Sequence, residues 1–341
     1  MENVFCTGID QHKRTSVFAT ADADGNIVKE AKLKNNPALI RGYFRELPGR
    51  HIAVVESTSG WYWMSDLLQP EGIELKLAHA KYLKAISYAK VKTDKVDAQT
   101  LAQLLRVGMI PEAHKISSAL RDQRDTLRTR LRLVEKHSSA LNSVHRLLEK
   151  FNCASVDELP ELYQLQASCH LEQAETLEAQ IKLLERALND VLIPNADIQR
   201  LLWIPGIGRL NAFTLYLEVD GIERFGSIKR FHSYCRLVPG SHNSAGKVKH
   251  QRSKDGNRYL KLAFSHAAVR AIQYYPEIRR FYQSRLRRKN KMIARALVAK
   301  EIARIVYHVL RTREPYDGKF KGEILERTKV RQWPRLASPA A

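Results

Sequence analysis

The stretch "NVFCTGIDQHKRTSVFATADADGNIVKEAKL", residues 3–33, reads as two β-rich runs and a third short strand, with a glycine-bearing turn at "DADGN". Strands joined this tightly predict an antiparallel meander. Downstream, "HIAVVEST" at 51–58 is a continuous apolar strand ending in Glu56, and "IELKLAHA" at 73–80 reads as another. The helical run "WYWMSDLLQ" lies between them. Strand, helix and strand at this spacing predict a sheet covered by helices.

The pattern changes from Ser117. Leu120, Leu127, Leu131, Val134, Ser138, Leu141 and Leu148 fall on or near one heptad seam with charges between them. After a break at "FNCASVDELPE", Ala174, Leu177, Ile181, Leu184, Leu188 and Val191 alternate steps of three and four. The two arms predict an antiparallel helical hairpin or a dimerising coiled coil, ended by Pro194. Next, "LLWIPGIGRLNAFTLYLEV", residues 201–219, has the form of a helix-hairpin-helix, whose Gly206 and Gly208 let backbone amides approach a phosphate. A plain helical turn fits the same letters. From Glu314 the composition is mixed, and a weakly ordered tail is expected.

The expected organisation is therefore a sheet domain over 1–114, a helical insertion over 115–194, a mainly helical domain over 195–313 and a tail over 314–341. A length of 341 residues and 44% hydrophobic content suffice for ordinary packed cores. Lys and Arg number 57 against 36 Asp and Glu, a formal charge of +21, which favours a polyanionic partner, nucleic acid first. No apolar run is long enough to span a bilayer, and Asp10, His12, Lys13 and Arg14 stand where a signal peptide needs its apolar core. A cytoplasmic protein with no membrane partner is expected. Cys6, Cys153, Cys169 and Cys235 are scattered without zinc spacing, so neither a structural zinc nor a disulfide framework is expected.

Acids inside so basic a chain need a reason. Asp10 closes an apolar strand beside Gly8, Glu56 closes another, and Asp94 and Asp97 in "KVKTDKVDAQTLAQLLR" (90–106) share one face at the start of a helix. Carboxylates gathered near a polyanion make sense as ligands of hard divalent ions, which clamp the attacking and leaving oxygens of a phosphodiester. Asp94 and Asp97 equally suit a helix N-terminus capped by Thr93 or Asp94 itself. Lys92 just before the pair and Lys95 within it are candidate nucleic-acid contacts. A basic strip, "RRFYQSRLRRKNKMIAR" (279–295), carries eight basic side chains and no acid, including Arg285, Arg287, Arg288 and Lys289. It suits a phosphate backbone, with Phe281 and Tyr282 placed to stack on bases; a solvated helix face is the other reading.

These residues resemble the transposases of the insertion sequence 110 family, relatives of the pilin-gene inverting recombinase. "GIDQHK", "VVESTSGW" and "KTDKVDA" look like the DEDD motifs of its RuvC-like (RNase H-like) domain. "IPGIG", "RFGSIKRF", "LVPGSHNSAGK" and "SKDGNRYLK" follow the order of its C-terminal transposase domain. The resemblance implies an α/β plus α architecture: a mixed sheet with helices, a central antiparallel coiled coil and a mainly helical C-terminal domain. It implies a DNA recombinase guided by a structured noncoding RNA that pairs with donor and target DNA. Asp10, Glu56, Asp94 and Asp97 would bind Mg2+, with Mn2+ as a substitute, and Ser244 would attack DNA to form a phosphoserine link. Lys247, Lys249, Arg252 and Lys254 around that serine would attract the phosphate.

The chain departs from the family in having Ala245 after the serine, where glycine is usual, which leaves Ser241 and Ser253 as alternative nucleophiles. Arg236 in "CRLVPG" and "LAHAKYLK" also depart from the family's usual letters. Acids and serine lie on opposite sides of the helical insertion in the sequence, which implies a site composed by two subunits of a dimer or a dimer of dimers. His12 and His242 read as polar surface. A RuvC-like nuclease using water and a noncatalytic nucleic-acid scaffold are the other functions these residues fit.

Overall fold

The computed structural model describes residues 4–58, 60–86, 93–244, 247–251 and 255–324. The chain divides into two compact units, Met1–Ser118 and Ala119–Ala341.

The first unit is built on the expected meander: β1 (Val4–Gln11), β2 (Thr15–Ala21) and β3 (Ile27–Lys34) pair antiparallel in sequence order. After helix α1 (Pro37–Arg45), strand β4 (Arg50–Glu56) pairs parallel with β1. Helix α2 (Trp61–Leu68) crosses to β5 (Glu74–Ala78), which pairs parallel with β4. Helices α3 (Ala80–Ile86) and α4 (Asp94–Arg106) precede a short antiparallel edge, β6 (Glu112–Ala113). The sheet order is β3-β2-β1-β4-β5-β6, a mixed α/β arrangement consistent with an RNase H-like domain.

One contact sets the position of α4. Cys6, Gly8 and Asp10 alternate onto the same face of β1, and a Cβ at Gly8 would lie 2.0 Å from the Ala98 carbonyl oxygen and 2.6 Å from the Ala102 amide. Glycine here lets the helix lie directly on the strand. Cys6, Val54, Ala78, Leu101 and Leu105 fill the rest of that layer. Gly8→Ala is expected to push α4 off the sheet and to cost about 3 kcal/mol of stability, the upper range for overpacking. Thermal unfolding checks this.

The second unit begins with the two long helices α5 (Arg121–Phe151) and α6 (Glu161–Val191). They run antiparallel: Arg130 near the start of α5 meets Glu185 near the end of α6, and Val144, Leu159 and Ala167 pack at the connecting loop. Of the predicted α6 seam, Ala174, Leu177, Ile181 and Leu188 are buried, Leu184 is half-buried and Val191 is exposed. In α5 Leu127 of the predicted seam is buried, Leu141 and Leu148 are half-buried with Leu148 packed on the Val144 cluster, Ser138 is exposed, and the small Ala140 and Val144 are buried beside them. Helices α7 (Ala196–Leu202), α8 (Arg209–Val219) and α9 (Ile228–Tyr234) follow. Then come the hairpin β7 (Gly240–Ser244) and β8 (Lys247–Gln251), helices α10 (Arg258–Tyr274), α11 (Pro276–Leu286) and α12 (Lys291–Thr312), and the small hairpin β9 (Lys319–Phe320) and β10 (Glu323–Ile324).

The long helices pack with the C-terminal ones, Leu127 and Leu188 sharing one core with Phe213, Phe264 and Ile302. Beyond Glu314, Phe320 is buried in that same core, edge-on to Phe281. Residues 325–341 lie outside the described residues.

A buried ion cluster ties these helices together. Glu218 of α8, only 2% exposed, accepts from Arg128 at 2.5 and 2.7 Å, from Arg124 at 3.2 Å and from Asn257 Nδ2 at 2.6 Å. Burial raises the Glu218 pKa, but the Arg128 hydrogen bonds and the charges of both arginines outweigh it and hold it low. Asn257 also caps α10 through its Oδ1.

His232 behaves oppositely. Burial first, then the charge of Lys300, lowers it from 6.5 to about 4. The unfolded chain therefore takes up a proton that the folded chain refuses between those values. Stability is complete above pH 6.5 and falls toward pH 4, by up to about 3 kcal/mol from this group. Urea unfolding from pH 7 to 4 should show a shallower decline in His232→Leu than in the wild type.

Candidate active site

The register Ile9↔Val55 places the next residues of β1 and β4, Asp10 and Glu56, side by side at the carboxyl ends of adjacent parallel strands. In open α/β sheets that edge is where ligands bind. Gln11 steadies it, donating from Nε2 to the Gly60 carbonyl at 2.9 Å and so tying the segment after Glu56 to the end of β1. From above, α4 brings its first turn: Thr93 caps the helix by accepting from the Val96 amide, leaving Asp94 and Asp97 in the turn behind it. The capping expectation and the ligand expectation thus fall on different residues.

Asp10, His12 and Asp94 meet. His12 Nε2 lies 3.1 Å from Asp10 Oδ2 and 3.4 Å from Asp94 Oδ1. One donor atom from each of the three lies within 4.8 Å of the others. Asp94 is also paired with Lys32 at 3.3 Å. Burial, opposed by His12 and reinforced by the charges of Asp94 and Asp97, pushes the Asp10 carboxyl above its ordinary pKa. Asp94 is held below it, first by its hydrogen bond to Lys32 and then by His12. Three carboxylates thus sense one another electrostatically, while Glu56 joins them by strand register.

In the second unit Ser244 is the last residue of β7, directly across the register from Lys247, and His242 is across from Lys249. Residues 245–246 lie outside the described residues, as do Lys92, Arg252, Ser253 and Lys254.

Residues 7–153 match the IS110-type DEDD family model, described as a transposase, and residues 198–283 match the model described as Transposase IS116/IS110/IS902 family. The chain belongs to the IS110 family of transposases. A probable family 20 transposase of Pseudomonas aeruginosa is 27% identical over 337 residues, spanning 90% of this chain and 97% of that protein. The transposase for insertion sequence element IS1328 of Yersinia enterocolitica is 24% identical over 91% of this chain and 97% of its own length. The transposase for insertion sequence element IS1111A of Coxiella burnetii is 26% identical over 60% of this chain and 61% of its own length.

As an IS110-family transposase the chain is a DNA recombinase acting in insertion-sequence transposition, and DNA is its partner. Among the described residues no helix is long and apolar enough to cross a membrane. The DEDD domain implies a divalent metal, and the site fits one: Asp10, His12 and Asp94 bring one donor atom each within 4.8 Å of the others, and a cation there would offset the burial, and then the charges of Asp94 and Asp97, that raise the Asp10 pKa.

The transposase presents its basic strip at a corner. Arg285 in the last turn of α11, and Arg287, Arg288 and Lys289 between that helix and the α12 cap Asn290, are all exposed. Phe281 is not placed for base stacking, because it packs on Phe320 and carries the Arg285 guanidinium 4.8 Å over its ring. Lys95 is paired with Glu30 at 2.6 Å. Gly206 has a packing reason, since a Cβ there would meet the Ala267 carbonyl oxygen of α10 at 2.0 Å, whereas Gly208 stands in open space at the start of α8.

His12, which the sequence reads as polar surface, stands instead between Asp10 and Asp94. Its signal was the spacing: two residues beyond Asp10, it keeps to the same side as the strand runs out into its turn. Lys32 was equally hidden, because its partner Asp94 is 62 residues away.

Proposed function

We propose that this transposase exchanges DNA strands through a covalent serine intermediate, with Asp10, Glu56, Asp94 and Asp97 holding the divalent metal, Mg2+ or Mn2+, and Ser244 as nucleophile. The meeting of Asp10 and Asp94 with His12, where the end of β1 comes up to the start of α4 and with Asp97 near enough to be felt by Asp10, supports this reading. When bound, the metal supplies charge neutralisation on the scissile phosphate and a lower barrier to breaking the P–O bond.

The chain's own groups do the rest. Ser244 Oγ loses its proton and attacks phosphorus, the bond to O3′ breaks, and the departing 3′ oxygen takes up a proton. The resulting phosphoserine keeps the energy of a phosphodiester. The 3′-hydroxyl of the other DNA then attacks the same phosphorus, and Ser244 leaves as a hydroxyl. Lys247 and Lys249, with Arg252 and Lys254 next in sequence, attract the phosphate. Arg285, Arg287, Arg288 and Lys289 grip backbone further along the nucleic acid, joined by Lys92, Lys95 and the amides beyond Gly206 and Gly208.

Target and donor choice is delegated to a structured noncoding RNA of the element, and the protein acts as a homo-oligomer, dimer or tetramer, assembled through α5 and α6. The α6 side chains Leu162, Leu165 and Leu183, at 72%, 62% and 64% exposure, support that use of the helical pair. The test is to incubate purified protein with Mg2+, the element's RNA and labelled donor and target DNA, then run a denaturing gel. A protein–DNA adduct that needs both metal and RNA is the expected result; joined products formed with no adduct at any time would refute the serine route.

A further inference from the structure

We propose that His12 is a further protein ligand of the metal beside the acids, through Nε2, and that it biases the site toward first-row transition cations over Mg2+. The proposal rests on the reading of Asp10 and Asp94 as metal ligands.

Its first support is distance. Two ligand atoms at right angles about an ion with bonds of about 2.1 Å stand about 3.0 Å apart. His12 Nε2 stands 3.1 Å from one carboxylate oxygen and 3.4 Å from the other, so an ion shared by all three needs only small shifts.

The second support is how the ring is delivered. His12 is the first residue past β1, and both sides of its peptide backbone are tied down. Its amide donates to the Thr15 carbonyl at 3.0 Å, and its own carbonyl accepts from Asn35 Nδ2 at 2.8 Å. Asn35 in turn accepts from Ser16 Oγ at 2.7 Å through Oδ1 and donates its amide to the Arg14 carbonyl at 2.9 Å. Ser16 is fully buried. A histidine that was merely solvated at a turn would need none of this bracing. Here the loop between β1 and β2 is pinned to the start of the segment after β3, and the ring is held over the acids. The three donors come from a strand end, a turn and a helix start. Each is fixed by its own element, the arrangement that lets a site bind an ion without reorganising.

The chemistry follows from the donor set. Mg2+ takes oxygen and keeps its waters, whereas imidazole nitrogen suits the transition metals, with affinity rising from Mn2+ to Co2+. An all-carboxylate site would show little of that rise; one with His12 in it would show more. The competing role for His12 is a cationic stand-in that occupies the ion's place and is expelled when metal arrives. The two roles predict opposite signs, because losing a ligand weakens metal binding and losing a competitor strengthens it.

The experiment uses the full chain at pH 8. Mn2+, Co2+ and Mg2+ binding are measured by calorimetry in the wild type, His12→Ala and Asp10→Asn, and imidazole nitrogen coupling to bound Mn2+ is read by pulsed electron paramagnetic resonance. In His12→Ala the expected loss is more than tenfold for Co2+, about tenfold for Mn2+ and at most threefold for Mg2+, with the nitrogen coupling gone. Unchanged or tighter Mn2+ binding in His12→Ala, with Asp10→Asn still defective, would overturn the role of His12 alone. Full metal binding in Asp10→Asn would overturn the acid site itself. An equal loss of all three ions in His12→Ala would also refute selectivity by nitrogen ligation.

Discussion

Asp10→Asn is expected to lower DNA cleavage and strand joining by about a thousandfold or more while DNA affinity stays within a factor of about three. The substitution keeps the shape of the side chain and removes only its charge. A metal contribution of about 4 kcal/mol to the transition state corresponds to that thousandfold, and a neutral amide oxygen replaces a carboxylate poorly as a ligand of a hard cation. Stability should move the other way. The Asp10 carboxyl is raised above its ordinary pKa by burial and by the charges of Asp94 and Asp97, which means that its ionised form is disfavoured in the fold. Removing that charge leaves the melting temperature unchanged or slightly higher. Loss of activity without loss of fold separates a catalytic carboxylate from a structural one. Full activity in Asp10→Asn would sink the metal site.

The helical and strand pattern of the first unit was legible because each strand there is written locally. Alternation and the turn letters mark β1 to β3, and continuous apolar runs mark β4 and β5. Glu56 could be aligned with Asp10 from the strand ends alone, since parallel neighbours bring like ends together. What joined Asp94 to them was not in the local letters. It depends on Gly8 admitting α4 to the sheet, a contact between residues about ninety positions apart that a single sequence does not display. His12 and Lys32 were illegible for the same reason. In the second unit the helices were readable from their period, but the cluster of Glu218 with Arg124, Arg128 and Asn257 was not, because its members come from three helices and read singly as surface charges. Phe320 was missed because two aromatics, Tyr316 and Phe320, in a polar stretch of mixed charge carry too little pattern to mark a core residue.

Ser244→Ala should erase the covalent protein–DNA adduct and lower recombination by about a thousandfold or more, with metal binding and the melting temperature unaffected. A serine hydroxyl is a weak nucleophile near neutral pH and acts only where position and charge assist it. Ser244 ends a strand opposite Lys247 in a segment rich in lysine and arginine, so its loss removes the attacking atom and leaves the phosphate-attracting charges in place. DNA binding should therefore persist. Ser241→Ala and Ser253→Ala, run beside it, decide among the three serines: the nucleophile is the one whose loss removes the adduct. If Ser244→Ala still cuts DNA and no variant ever shows an adduct, water is the nucleophile and the enzyme hydrolyses DNA. The cut then releases the phosphodiester's energy, so rejoining requires a fresh attack by a free 3′-hydroxyl on an intact strand. Pairing Ser244→Ala with Asp10→Asn adds a second check. If serine and acids serve one reaction, the double variant should be hardly slower than the worse single one, whereas independent contributions would multiply.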